Sequence, residues 1–248
     1  MHSGIKATFP LIIETPFNMN DVIIKDLGLI DFKKAWEVQE EIFTKIVDCK
    51  TAKKIYPDKT LNHLLFCEHP HVYTIGKSGS EKNLLIDQIQ LQAKQATFYR
   101  INRGGDITYH GPGQIVCYPV LDLEMFGLGI KKYVESLEEV IIQTLSEFNI
   151  HSGRLEGATG VWLDPNSPKA RKIAAIGVRA SRYVSMHGFA LNVNTDLSYF
   201  SHINPCGFID KSVTSLSKET GKKEDMNIVK KILMKNFSNI FSIHFVAG

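Results

Sequence analysis

The chain has 248 residues and a net charge of +3, and its 44% hydrophobic and 22% charged residues are ordinary for a globular protein. This balance excludes a disordered chain, and the basic excess is too small for a dedicated nucleic-acid binder. The four cysteines show no C-x-x-C spacing, so we expect no disulfide framework, structural zinc site or thioredoxin-type pair.

Residues 1–18 lack the features of a signal or transit peptide, and we interpret them as a dispensable N-terminal extension. No apolar run approaches the roughly 20 residues that cross a bilayer. We therefore expect one catalytic domain over residues 19–248, no membrane association and a cytoplasmic location.

Apolar periodicity predicts three main helices and a series of strands. The helices are expected over 31–54, capped by Asp31, over 130–149, with Val134 among its inward-facing residues, and over 224–241, with Ile228 among its inward-facing residues. The strands are expected over 61–70, 97–102, 115–123, 160–164, 172–181 and 184–194. Short links between the last three strands indicate antiparallel pairs. We therefore expect an α/β (α+β) fold with one mixed β-sheet flanked by helices, and not a doubly wound parallel sheet.

The segment RGGDITYHGPGQ (103–114) is predicted to be a glycine-rich loop that follows a strand. Its glycines allow close approach of the backbone to a ligand, and its polar side chains could contact one. The segment matches neither the dinucleotide fingerprint nor the Walker A loop. From spacing alone, a binding loop and a plain turn are both open.

Cys206 lies between Pro205 and Gly207, outside any apolar period, whereas Cys117 lies within an apolar strand and is expected in the core. A lone cysteine is catalytic only beside a base or a cation. Lys172 opens an apolar strand, which is an unusual position for a charge. It could be a solvated strand-edge residue, or it could lower the pKa of a neighbouring thiol.

Other catalytic classes find less support in the sequence. His69 and His71 could ligate a metal, but no H-E-x-x-H pattern completes a site, and polar loop histidines are the preferred interpretation. No G-x-S-x-G elbow indicates a serine hydrolase. We expect neither a metal nor a cofactor.

Four blocks in order resemble the lipoyl(octanoyl) transferases of lipoate biosynthesis. They are CEHPHVYTIGKSG (67–79), RGGDITYHGPGQIVCYPVLDL (103–123), GVWLD with RKIAAIGVRASRYVSMHGFALNVN (160–194), and INPCGFIDKSVTSL (203–216). The resemblance implies the biotin/lipoate protein ligase-like fold.

The resemblance also implies the activity. An octanoyl group would pass from octanoyl-acyl carrier protein to a lysine of a lipoyl domain, in 2-oxoacid dehydrogenase complexes or in the glycine cleavage H protein. A monomer is expected. Alternatives left open are an ATP-dependent lipoate–protein ligase, an amidotransferase that moves octanoyl between lipoyl proteins, and a non-catalytic binding module.

Residue roles follow from the same resemblance. Cys206 matches the acyl-accepting nucleophile, and Lys172 matches the lysine that lowers its pKa. The residues that match the substrate-binding segments are Arg103, Gly104, Gly105, Asp106, Ile107, Thr108, Tyr109 and His110, then Ala175, Ile176 and Gly177, then Gly188, Phe189 and Ala190. The glycines are expected to keep the wall of an acyl tunnel thin. Lys169, Arg171, Arg179, Arg182, Lys131 and Lys132 could offer basic charge to an acidic carrier protein, or could simply be solvated.

Overall fold

The computed structural model describes residues 20–52, 62–204 and 212–247. The extension over residues 1–18 and Cys206 therefore lie outside the described residues. Among the described helices, none has the length and apolar character needed to cross a membrane.

The strands follow one another along the chain with helices between them. The strands are β1 Asp21–Leu29, β2 His63–Glu68, β3 Val72–Ile75, β4 Thr97–Arg100, β5 Ile107–His110, β6 Gln114–Val120, β7 Gly153–Leu155, β8 Ala158–Leu163, β9 Arg171–Ser181, β10 Val184–Asn192, β11 Ser212–Val213 and β12 His244–Ala247. The helices are α1 Phe32–Thr51, α2 Gln88–Ala93, α3 Ile130–Ser146, α4 Leu216–Thr220 and α5 Met226–Phe241.

Nine of the described strands form a mixed sheet in the order β12-β1-β2-β6-β10-β9-β8-β7, with β11 paired to β9. The pairs of β1 with β2 and with β12 are parallel, and β8, β9 and β10 form consecutive antiparallel pairs. The three remaining described strands form a small sheet in the order β4-β3-β5. The expectation of a mixed sheet flanked by helices is confirmed.

Helices cover both faces of the wide sheet. The larger core packs α3 and α5 against one face, through buried residues such as Leu137, Ile141 and Phe237. A second core packs α1 against the other face, through residues such as Phe43 and Ile46. The sheet is thus the central layer of a helix–sheet–helix arrangement.

Three local expectations need correction. The segment 103–114 is not wholly a loop, because β5 pairs antiparallel with β3 and buries Ile107 and Tyr109 on one side. In α5, the expected core residue Ile228 is 52% exposed, because the buried face of the helix runs through its neighbour Val229 and through Leu233 and Phe237. In α3, Tyr133 is buried in place of the expected Val134.

Candidate active site

A cavity of about 360 Å³ lies between the wide sheet and the small sheet. Its walls combine strand residues of both sheets with the start of α1. Of the residues that the sequence singles out, those that line it are Arg103, Gly105, Asp106, Ile107, Thr108, His110, Lys172, Ala175, Ile176, Gly177, Gly188, Phe189 and Ala190. The remaining two described residues of that set, Gly104 and Tyr109, do not line it.

Small residues in register form one wall. Ala175 is paired with Ala190, and Gly177 is paired with Gly188, so both pairs lie on the same face of neighbouring strands. Their small side chains leave space above β9 and β10. A Cβ at Gly188 would collide with the carbonyl oxygen of Cys117. The absence of side chains therefore serves close backbone packing as well as room for a ligand.

The loop before β5, residues 103–106, is hydrogen-bonded to both sheets. Arg103 is 7% exposed, and its guanidinium donates to the carbonyl oxygen and the hydroxyl of Thr74 at 2.7 and 3.0 Å. Gly104 donates its N–H to the carbonyl of Val178 at 2.9 Å. Gly177 completes the contact, because a Cβ there would lie 2.9 Å from the Gly104 carbonyl. Gly104 therefore bridges the sheets behind the cavity wall, and Tyr109 packs into the core of the small sheet.

Lys172 reaches the cavity because of a β-bulge. Val161 of β8 is opposite Ala174, whereas its neighbour Trp162 is opposite Lys172, so Ile173 is an extra residue on β9. Ile173 and Ala174 both pack into the core beneath α3. In a regular strand Lys172 would point to the same side as Ala174, into that core. The bulge turns it instead to the side of Trp162, which also lines the cavity.

Among the residues that the structure describes, Thr159 and Trp162 contact the ammonium of Lys172. Its Nζ donates to the carbonyl oxygen of Thr159 at 3.1 Å and lies 4.7 Å from the centroid of the Trp162 ring. Both contacts favour the charged form of the amine. Sequence reasoning identified Lys172 as an unusual charge but missed Thr159 and Trp162, since only the bulge makes them its neighbours.

A chain of buried amides crosses the cavity wall. His110 donates from Nδ1 to Oε1 of Gln114 at 2.8 Å, and Gln114 donates to Oδ1 of Asn192 at 2.9 Å. Asn192 donates to the carbonyl of Thr214 at 3.0 Å, and Thr214 donates its N–H to the carbonyl of Lys172 at 2.9 Å. The chain connects the small sheet to the backbone of the lysine. Asn192 carries no sequence signal, because its partner Gln114 is 78 positions away.

The buried histidines are held by protein groups. His69 donates from Nδ1 to the carbonyl of Ile30 at 2.8 Å and accepts from the hydroxyl of Tyr118 at 2.8 Å. It lies in the link between β2 and β3, as expected for a loop residue, and it is fully buried there. Burial lowers its pKa, which keeps the ring neutral. Within the described ranges, no group of three His, Cys, Asp or Glu side chains could hold a metal ion.

The described cysteines differ from one another in burial. Cys117 is fully buried, which confirms its expected place in the core, and Cys67 is also fully buried. Burial raises the pKa of both thiols, so neither supplies a thiolate at neutral pH. Cys49 is half-buried on α1.

The segment that contains Cys206 is flanked by cavity residues. Ile203 precedes it and Ser212 and Val213 follow it, and all three line the cavity. Val213 is also paired with Lys172 in the parallel β9–β11 ladder. The residues described on both sides of segment 205–211 therefore line the cavity.

The sequence matches a known protein family. The family model described as the lipoyl protein ligase A/B catalytic domain matches residues 31–238, and the chain belongs to this family. Among curated relatives, the octanoyltransferase of Flavobacterium johnsoniae is 57% identical over 90% of this chain and 97% of its own length. The octanoyltransferase of Cytophaga hutchinsonii is 52% identical over 90% of this chain and 93% of its own length.

Solved structures agree on the fold. A bipartite lipoate protein ligase from Thermoplasma acidophilum has a TM-score of 0.65 and 17% identity, over 92% of this chain and 86% of that one. A lipoate-protein ligase A bound with ATP has a TM-score of 0.64 and 15% identity, over 92% of this chain and 88% of that one. These likenesses confirm the lipoate ligase-like fold expected from the sequence.

Proposed function

We propose that this protein transfers an octanoyl group from octanoyl-acyl carrier protein to one lysine of a lipoyl domain, through a thioester on Cys206. The relatives named octanoyltransferase, at 52% and 57% identity over nine-tenths of the chain, support acyl transfer. One structural observation carries the proposal: the cavity is lined by Lys172 and by the described residues on both sides of the Cys206 segment.

The cavity suits an alkyl chain. Val116, Ala175 and Ala190 supply apolar surface along its wall. Each methylene removed from water contributes about 0.8 kcal/mol, so the tail of an octanoyl group would add several kcal/mol to binding. The acyl tail would then lie along the small residues of β9 and β10, with its carbonyl toward Lys172.

In the first half-reaction the Cys206 thiolate attacks the carbonyl carbon of the donor thioester. The carbon–sulfur bond to the carrier breaks, the carrier's thiolate leaves, and octanoyl remains on Cys206. Lys172, as an ammonium, stabilises the Cys206 thiolate before attack. Thioester exchange is nearly isoenergetic, so this step requires no ATP.

In the second half-reaction the neutral amine of the acceptor lysine attacks the same carbonyl carbon. The amide bond forms, the Cys206 thiolate leaves, and the nitrogen loses one proton. Lys172, which gave its proton to the departing carrier thiolate in the first half-reaction and is now a neutral amine, accepts that proton and becomes an ammonium again. Transfer from a thioester to an amine is downhill, which makes the overall reaction favourable.

The acceptors in this proposal are the lipoyl domains of 2-oxoacid dehydrogenase complexes and the glycine cleavage H protein, and the enzyme works as a monomer. An ATP-dependent lipoate–protein ligase is the competing function. Turnover with octanoyl-acyl carrier protein in ATP-free buffer separates the two, because a ligase would be inactive there.

Mass spectrometry of the intact protein tests the nucleophile. After mixing with octanoyl-acyl carrier protein, wild type should carry one octanoyl group, Cys206→Ala should carry none, and the matched control Cys49→Ala should match wild type. Lys172→Ala should acylate at least tenfold more slowly, since its thiol lacks the cation. An adduct that persists in Cys206→Ala would exclude the proposed intermediate.

A further inference from the structure

The amine of Lys172 is stacked on an aromatic ring at the cavity. Nζ lies 4.7 Å from the centroid of the Trp162 ring, within the roughly 6 Å over which a cation is attracted to the face of an indole. We propose that Trp162 is a positioning residue for acyl transfer, because its ring holds the ammonium of Lys172 in the orientation that the reaction uses. This inference rests on the proposed function of Lys172.

The ring is a fixed platform. Trp162 is 2% exposed and packs against Ala158 and Ala170. Its indole Nε1–H donates to the carbonyl of Ala158 at 2.9 Å. Packing and this hydrogen bond together restrict the side chain to one rotamer. The indole face is therefore presented to Lys172 at no further entropic cost when substrate arrives.

The backbone around the ring is shaped to receive the lysine. The bulge at Ile173 places Lys172 directly opposite Trp162. Gly160, two residues before the tryptophan, has a φ of +125°, and a Cβ there would lie 2.5 Å from the carbonyl oxygen of Ala174, so the glycine allows β8 to pack closely against β9. The cross-strand pair and the bulge both serve the contact between the lysine and the ring.

Without such contacts, the position of a lysine ammonium is poorly defined. The four-carbon stem of a lysine is flexible, and its ammonium is a strongly hydrated point charge. The carbonyl of Thr159 fixes one direction of the ammonium, and the face of Trp162 fixes a second. Both of these contacts come from β8 and help to place the charge relative to the cavity. Stabilisation of a thiolate depends steeply on that separation.

Fluorinated tryptophan separates the electrostatic role of the ring from its shape. Fluorine atoms weaken the negative face of the indole while its packing changes little. With one to four fluorines introduced at Trp162, the single-turnover rate of Cys206 acylation should fall step by step, by about threefold to thirtyfold in total. The same replacements at Trp36, the only other tryptophan, should leave the rate unchanged.

A double-mutant cycle supplies the second readout. Trp162→Phe keeps an aromatic face and should retain most of the rate, whereas Trp162→Leu should lose it. In a Lys172→Ala background, Trp162→Leu should cause no further loss, since the ring then has no cation to hold. Thermal melting of each variant identifies losses that come from unfolding.

The outcomes distinguish this inference from the function on which it rests. The role of Trp162 would be overturned, and that of Lys172 left in place, by either of two results. One is an acylation rate that does not change as fluorines are added to Trp162. The other is an equal loss of rate from Trp162→Leu in the wild-type and Lys172→Ala proteins. If Lys172→Ala acylated as fast as wild type, the proposed role of Lys172 would fail, and the role of the ring would fail with it.

Discussion

His110 and His187 line the cavity as neutral rings. Burial, aided by neighbouring cationic groups, lowers the pKa of each to about 3. Each ring donates one N–H to an amide oxygen, His110 to Gln114 and His187 to Asn102. Protonating either ring would place a charge in a buried site next to Arg103. The unfolded chain has no such penalty, and its histidines titrate near 6.5.

Acid should therefore weaken folding over a defined range. Between pH 6.5 and about 3 the unfolded state binds protons that the folded state excludes, so the free energy of unfolding falls as pH falls. Each histidine contributes a slope of about 1.4 kcal/mol per pH unit within this window and no slope above it. Urea unfolding at pH 7 and pH 5 measures the difference.

His187→Gln provides the matched comparison, because glutamine can donate to Asn102 and does not titrate in this range. Its loss of stability between pH 6.5 and 5 should be smaller than that of wild type by about 2 kcal/mol. Equal losses in the two proteins would show that His187 is not excluded from protonation in the folded state.

At the scale of elements, α1 begins with a residue of the cavity wall. Asp31 caps the helix by accepting from the N–H groups of Lys33 and Lys34 at 3.0 and 3.2 Å. Phe32, the first helical residue, is 2% exposed and stacks on His110 with ring centroids 6.2 Å apart. The cap thus determines where the chain turns and where this phenyl ring enters the cavity.

Removing the cap should loosen that wall. Asp31→Ala should lower the free energy of unfolding by about 1 kcal/mol, because two N–H groups lose their acceptor. Asp31→Asn retains an acceptor oxygen and should stay near wild type. Denaturant unfolding of the three proteins checks the order, and an Asn variant as unstable as the Ala variant would contradict the capping role.

Long periodic elements are predictable from sequence, and interruptions of periodicity are not. The apolar stripe of α1 predicts a helix with an Asp31 cap, and both are present. β5 has only four residues, too few to display an alternating pattern. The bulge at Ile173 carries no residue signature, so the sequence shows Lys172 as an unusual charge without revealing that it faces Trp162. The neighbours of the lysine required the register of β8 on β9.

At the scale of the whole molecule, both of the basic residues suggested for docking that lie on β9 form ion pairs within the protein. Arg171 pairs with Asp164 and Glu219, and Arg179 pairs with Glu40. Lys169 is exposed and is three positions from Lys172 in sequence. It remains a suitable contact for an acidic carrier protein, whereas the engaged arginines mainly hold elements together.

Charge reversal at Lys169 should weaken recognition of the donor. Lys169→Glu should raise KM for octanoyl-acyl carrier protein by about fivefold at low salt, with the difference shrinking at high salt. Lys131→Glu is the matched control, because Lys131 lies on α3, which covers the face of the sheet away from the cavity. Steady-state kinetics at two ionic strengths measures both, and equal effects would exclude a localised docking surface.

The order of strands also places both ends of the described chain far from Lys172 and the cavity. β12 occupies one edge of the wide sheet, with β1 beside it, and β9 is five strands away. At about 4.8 Å per strand, that distance is roughly 24 Å. A tether attached after the last strand would therefore leave the cavity open to a partner of protein size. Immobilising the enzyme on a sensor surface through this end should preserve access for both the donor and the acceptor.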